Sequence, residues 1–74
     1  MEVLDTSGLK CPLPVLKAKK ALKALSAGER LTVIATDPGA MKDFHHFCEA
    51  TGDILESATE DDGVLTFVIH KARC

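Results

Sequence analysis

The sequence predicts an α/β fold: a two-layer sandwich, in the order β-α-β-α-β-β, with a four-stranded mixed sheet and two helices on one face. Three observations carry this. Four short runs rich in Val, Leu, Ile and Thr read as strands. Two stretches with helical spacing of apolar residues alternate with the first three strands. The last two strands are separated only by Asp61-Asp62-Gly63, a hairpin signature.

Glu2 to Thr6 forms the first expected strand, broken by Ser7-Gly8. Pro12 to Ala27 reads as a helix in which Val15, Ala18, Leu22 and Leu25 make one apolar stripe, with Gly28 as its stop. Lys17, Lys19, Lys20 and Lys23 fall on its remaining surface. Arg30 to Thr36 is a buried strand, and Asp37-Pro38-Gly39 turns the chain into a helix from about Ala40 to Thr51 that stops at Gly52. Ile54 to Glu60 and Val64 to Lys71 complete the set. Right-handed crossovers place both helices on one face. The first three strands are then parallel and the last antiparallel, with expected spatial order 1-2-4-3.

Seventy-four residues, 46% apolar and 27% charged, are expected to form one globular domain spanning 1–74. With no Trp, no Tyr and three Phe, its core must rest on aliphatic side chains. No stretch is long and apolar enough to span a membrane, and Met-Glu-Val-Leu-Asp does not resemble a secretory signal, so a cytoplasmic location is expected. Three cysteines make an odd count, which argues against a disulfide framework. A net charge of −2 gives no overall basic footprint, so tight direct nucleic-acid binding is not expected.

Chemistry concentrates in Gly8-Leu9-Lys10-Cys11-Pro12-Leu13-Pro14. With Pro12 at the first helical position, Cys11 becomes the N-cap. Cys is a poor choice for capping alone, and the free amides of a helix start favour a thiolate. Lys10 adds positive charge, and Pro12 and Pro14 stiffen the first turn. A nucleophilic sulfur with lowered pKa is the expectation, against a purely structural residue before a Pro-rich helix start.

The stretch Leu4-Asp5-x-x-Gly8-Leu9-Lys10-Cys11-Pro12-x-Pro14, with Gly28-Glu29, Ala35-Thr36-Asp37-Pro38, Asp43, Phe47 and Cys48, resembles the TusA (SirA-like) sulfur-carrier family over essentially the whole chain. The resemblance implies that Cys11 holds sulfane sulfur as a persulfide and relays it as a sulfurtransferase. The donor would be a cysteine desulfurase or a rhodanese-like protein. The acceptor would be a protein of transfer-RNA thiolation, cofactor sulfuration or sulfur oxidation. No cofactor or metal is implied. Leu13 departs from members that carry an acidic residue between the two prolines.

Other residues admit plainer readings. Cys48 projects with Met41 and Phe44 onto the sheet-facing side of the second helix, as core or as a resolving thiol for Cys11. Cys74 reads as incidental. His45 and Cys48, with His46, have a spacing that could supply two metal ligands, but a closed site needs two more and the nearest strong candidates are distant in sequence, so solvated helix histidines are the preferred reading. Lys10, Lys17 and Lys20 make either a solvated face or a docking surface for an acidic partner. No aromatic is interleaved with them, which disfavours base stacking on RNA. The rival to the carrier is a non-catalytic regulatory or RNA-associated module with Cys11 structural.

Overall fold

The computed structural model describes residues 2–72. Its elements are β1 (Glu2–Thr6), α1 (Leu13–Lys23), β2 (Arg30–Ala35), α2 (Ala40–Thr51), β3 (Ile54–Asp61) and β4 (Val64–His70). They form one four-stranded sheet in the order β1-β2-β4-β3, the order expected. β1 and β2 run parallel, and β4 is antiparallel to both β2 and β3.

The core lies between the sheet and the helices. Leu31, Val33 and Ala35 alternate inward from β2, and Leu65, Phe67 and Ile69 from β4. Ala18 and Leu22 of α1 and Phe44 and Cys48 of α2 close over them. Val15 and Leu25, the ends of the expected α1 stripe, are half-buried against this cluster. Phe44 anchors α2, its ring centroid 4.5 Å from that of Phe67. The β3–β4 hairpin turns on Asp62 and Gly63, both with positive φ (52° and 82°). That pair of left-handed residues suits a two-residue hairpin turn.

α1 corrects the sequence reading at its C-terminal end. The expected helix ran to Ala27 with Gly28 as its stop, whereas the observed one ends at Lys23 with Ala24 as its cap. The reason lies in β4's end. Lys71, buried, donates its Nζ to the carbonyls of Leu22 and Leu25, the latter at 2.6 Å. Leu22 O also accepts from Leu25 N at 3.1 Å, so Lys71 adds a second donor there and caps Leu25 O just past the last helical residue. The next residues turn tightly, with Ser26 N donating to Glu29 Oε1 at 2.6 Å. Gly28 N then reaches Lys71 O at 2.8 Å, and Lys71 N reaches Glu29 O at 2.9 Å. Gly28, with φ +92°, serves this turn and not the helix cap.

Candidate functional site

β1 and β2 are parallel, so both helices that follow them begin at the same end of the sheet. The loops Ser7–Pro12 and Thr36–Gly39 meet there. Buried Thr6 fixes the exit from β1 by donating Oγ1 to Ile34 O at 2.6 Å. Gly8, at φ +82°, donates its N–H to Thr36 Oγ1 at 2.9 Å and ties the two loops together. Leu9 N–H returns to Thr6 O at 3.1 Å. These bonds carry the chain to Cys11, which is exposed and in no disulfide.

Cys11 is not the helix N-cap, and here the sequence reading is corrected. Leu13 N donates to Lys10 O at 2.8 Å, closing a turn ahead of the helix, and Leu16 N donates to Pro12 O at 3.1 Å. Pro12 is therefore the cap, and Cys11 stands one residue outside it. Pro14 lies within the first helical turn and is fully buried, which anchors the start of α1. The Cys11–Pro12 peptide bond is cis.

The expected lowering of the thiol pKa is also corrected. Cys11 Sγ hydrogen-bonds to Asp43 Oδ2 in the first turn of α2. That bond raises the Cys11 pKa above the ordinary thiol value; desolvation and the charges of Asp43 and Asp37 push the same way. A carboxylate only accepts hydrogen bonds, so this contact favours the protonated thiol. Gly39 packs closely in this turn: a Cβ there would come 3.0 Å from Asp37 Oδ2, whereas the Cys11 Cβ, at 3.9 Å, would be in ordinary contact.

Asp43 stood in the sequence only as one residue of the family resemblance. Its pairing with a cysteine 32 positions away is set by tertiary structure. The signal that could have found it is topological: parallel β1 and β2 bring both helix starts to one end. A cavity of about 290 Å³ adjoins the pair, lined by Pro12, Val15, Asp43, His46 and Phe47.

The remaining candidates separate. Cys48 is buried in the core, and burial pushes its thiol pKa up to about 11. It lies with Phe44 and half-buried Met41, as the core reading expected. His45 and His46 are exposed while Cys48 is not. Among the described residues no group of three or more His, Cys, Asp or Glu could hold a metal ion. Cys74 lies outside the described residues. Lys10, Lys17 and Lys20 are exposed. Lys17 and Lys20 flank a groove of about 350 Å³ with Leu4, Ala21 and Ala24 along the β1 side of α1. Leu13 and Leu16, 44% and 52% exposed, extend this face with apolar surface toward Cys11.

A small two-layer α/β domain that presents an exposed cysteine where its two helices begin is the class this geometry defines. The chain belongs to the Sulfurtransferase TusA family, whose model matches residues 2–71. A Neisseria meningitidis serogroup A protein is 58% identical over 71 residues, covering 95% of this chain and 96% of its own length. A protein of Allochromatium vinosum, named sulfur carrier protein TusA, is 54% identical over 69 residues, covering 93% of this chain and 91% of its own. The crystal structure of a SirA-like protein from Desulfitobacterium hafniense superposes with a TM-score of 0.83 at 31% identity. It covers 99% of this chain and 100% of that one. No helix among the described residues is long and apolar enough to cross a membrane.

Proposed function

We propose that this chain is a cytoplasmic sulfur carrier that takes sulfane sulfur onto Cys11 as a persulfide and hands it to an acceptor thiol. The observation that carries the reading is the exposure of Cys11 at the junction of the two helix starts in a chain of the TusA family. A relay cysteine must meet the reactive sulfur of two successive protein partners, and an exposed residue on a small convex domain can do so. In each step a thiol sulfur attacks the terminal sulfur of a persulfide. One S–S bond forms, one breaks, and the proton of the attacking thiol ends on the departing one.

The donor is a cysteine desulfurase or a rhodanese-like protein, and the acceptor is a downstream sulfur-accepting protein. Leu13, Leu16, Lys17 and Lys20 supply an apolar and basic docking face beside Cys11 for acidic partners. Gly8, Lys10, Pro12 and Pro14 support the site through the loop and helix start described above. The test is mass spectrometry after incubation with a sulfane-sulfur donor. Wild type and Cys48→Ala should gain sulfur on the peptide containing Cys11. Full loading of Cys11→Ser would sink the reading.

A further inference from the structure

We propose that Asp43 distinguishes the empty carrier from the loaded one: it holds the Cys11 thiol by a hydrogen bond and repels the persulfide, so that loading turns the sulfur away from α2 and toward an acceptor. This rests on the carrier reading above and adds a role for a residue that the reading leaves idle.

In the empty protein Cys11 Sγ donates its proton to Asp43 Oδ2. The backbone of Asp43 is held beside this contact. It stands one residue before Phe44, which is fully buried, and its own N–H donates to Gly39 O at 3.1 Å. Loading replaces the bonding partner. A donor persulfide, R–S–SH, gives its terminal sulfur to Cys11 and leaves as R–SH, and Cys11–SH becomes Cys11–S–SH. Cys11 Sγ now bonds to sulfur and has no proton to donate, so the bond to Asp43 is lost. The terminal S–H is more acidic than a thiol, and its proton passes to solvent near neutral pH. An anionic sulfur then stands beside a carboxylate.

The surrounding charges do not relieve that repulsion. Asp37, in the β2–α2 loop, adds negative potential at the same sulfur. Lys10 precedes the cysteine in the chain and is exposed. His46 lines the adjoining cavity one turn along α2 from Asp43. No ion pair engages Asp37 or Asp43 among the described residues. Like charges at contact distance disfavour each other, whereas the thiol–carboxylate bond is favourable. One carboxylate thus has opposite effects on the two states of the carrier.

The test uses the full chain with Cys74→Ser, which leaves Cys11 as the exposed thiol to label. Cys11 is capped either with iodoacetamide, giving a neutral adduct, or with iodoacetate, giving a nearly isosteric anionic one. A third sample is loaded with sulfane sulfur. Melting is followed at pH 8, together with the amide chemical shifts of residues 40–43. The anionic adduct and the persulfide should melt below the neutral adduct, and in Asp43→Asn the difference should vanish. In the empty protein Asp43→Asn should move the pH profile of Cys11 alkylation downward. A shift of one unit would make alkylation about tenfold faster at pH values below the thiol pKa.

Equal melting of the two adducts in the wild-type site overturns the proposal, and so does a difference that survives in Asp43→Asn. If Asp43→Asn fails to fold, the adduct pair still decides, because a charge penalty must shrink in high salt and a packing penalty must not. A protein that takes no sulfur on Cys11 overturns the carrier reading and this inference with it, and the mass spectrum separates that failure from the others.

Discussion

Replacing Lys71 by Met should destabilise the domain by about 2–3 kcal/mol, a large share of its total stability. Lys71 is buried, and its ammonium donates to the carbonyls of Leu22 and Leu25 at the end of α1. Hydrogen bonds to charged groups contribute roughly 1.5–3 kcal/mol each, and Leu22 O keeps its bond from Leu25 N at 3.1 Å after the substitution, so the loss there is not that of a fully orphaned acceptor. The negative end of the helix dipole favours a cation there as well. Against these gains stands the cost of burying the ammonium, which the substitution removes. Met keeps the apolar stem and its volume, so no cavity term enters. A 74-residue domain has on the order of 4–11 kcal/mol of stability in total. For a chain of this size 1 kcal/mol moves the Tm by roughly 4–8 °C, so the midpoint should fall by about 10–20 °C. Urea unfolding should show a lower midpoint with an unchanged slope, the mark of lost stability without a change in exposed surface. Alkylation of Cys11 should not change, since that residue lies at the opposite end of the sheet. A loss below about 0.5 kcal/mol, the scale of an ordinary surface substitution, would refute this account of how α1 ends.

Cys48 should resist alkylation in the native protein until the pH nears the value of about 11 to which burial raises its thiol, and should react readily in denaturant. Cys48→Ala should cost on the order of 1 kcal/mol in urea unfolding and leave sulfur loading intact. Glu56 accepts from Arg30 Nε at 2.7 Å and pairs with His70 Nδ1 at 3.0 Å, and these partners lower its pKa below the ordinary 4.5. A depressed carboxylate pKa stabilises the fold above the unfolded value and ceases to do so as pH falls through the folded one. Glu56→Gln should therefore flatten the acid limb of a melting-versus-pH curve below about pH 4.5 and lower the plateau above it. Charge reversal at Lys17 and Lys20 should slow transfer with an acidic protein partner at low salt and converge with wild type at 1 M salt, where screening extends only about 3 Å. Small-molecule alkylation of Cys11 should be indifferent to it.

The sheet was legible because each strand carries its own signal. Leu31, Val33 and Ala35 alternate with half-exposed Thr32 and Ile34, and Asp62-Gly63 has the composition a tight hairpin needs. The handedness of the crossovers placed both helices on one face, but no local signal dictated the strand order, which rested on supposing that the last strand inserts between the second and third, as it does. The start of α2 was legible from Asp37-Pro38-Gly39, since Asp37 Oδ2 accepts from Gly39 N at 3.1 Å in the local turn expected of that residue type. The end of α1 was not legible, because it is decided by Lys71, whose Nζ reaches back 49 positions to Leu22. The environment of Cys11 was half legible. Gly8, Pro12 and Pro14 mark a loop that delivers a cysteine to a helix start, and that much is local. The partner of the thiol is not local, and reasoning from α1 and Lys10 alone inverted the direction of its pKa.

Two electrostatic influences meet at that thiol, and geometry decides between them. The positive end of a helix acts within about its first turn, through amides that point at the ligand. Cys11 stands outside the cap of α1. The Leu13 amide that could have faced it donates to Lys10 O instead. The start of α2 is also close, but Asp43 and the Asp37–Gly39 turn put carboxylates there. A direct hydrogen bond to a full negative charge outweighs a distant partial positive one, so the resting sulfur is a thiol. For a carrier this has a chemical advantage. A thiolate is the form that oxidants and stray electrophiles attack, whereas a protonated thiol waits. The same parallel pair of strands that exposes Cys11 to two partners also brings α2's carboxylate to guard it. Exposure and restraint at this site are therefore two results of one topological choice.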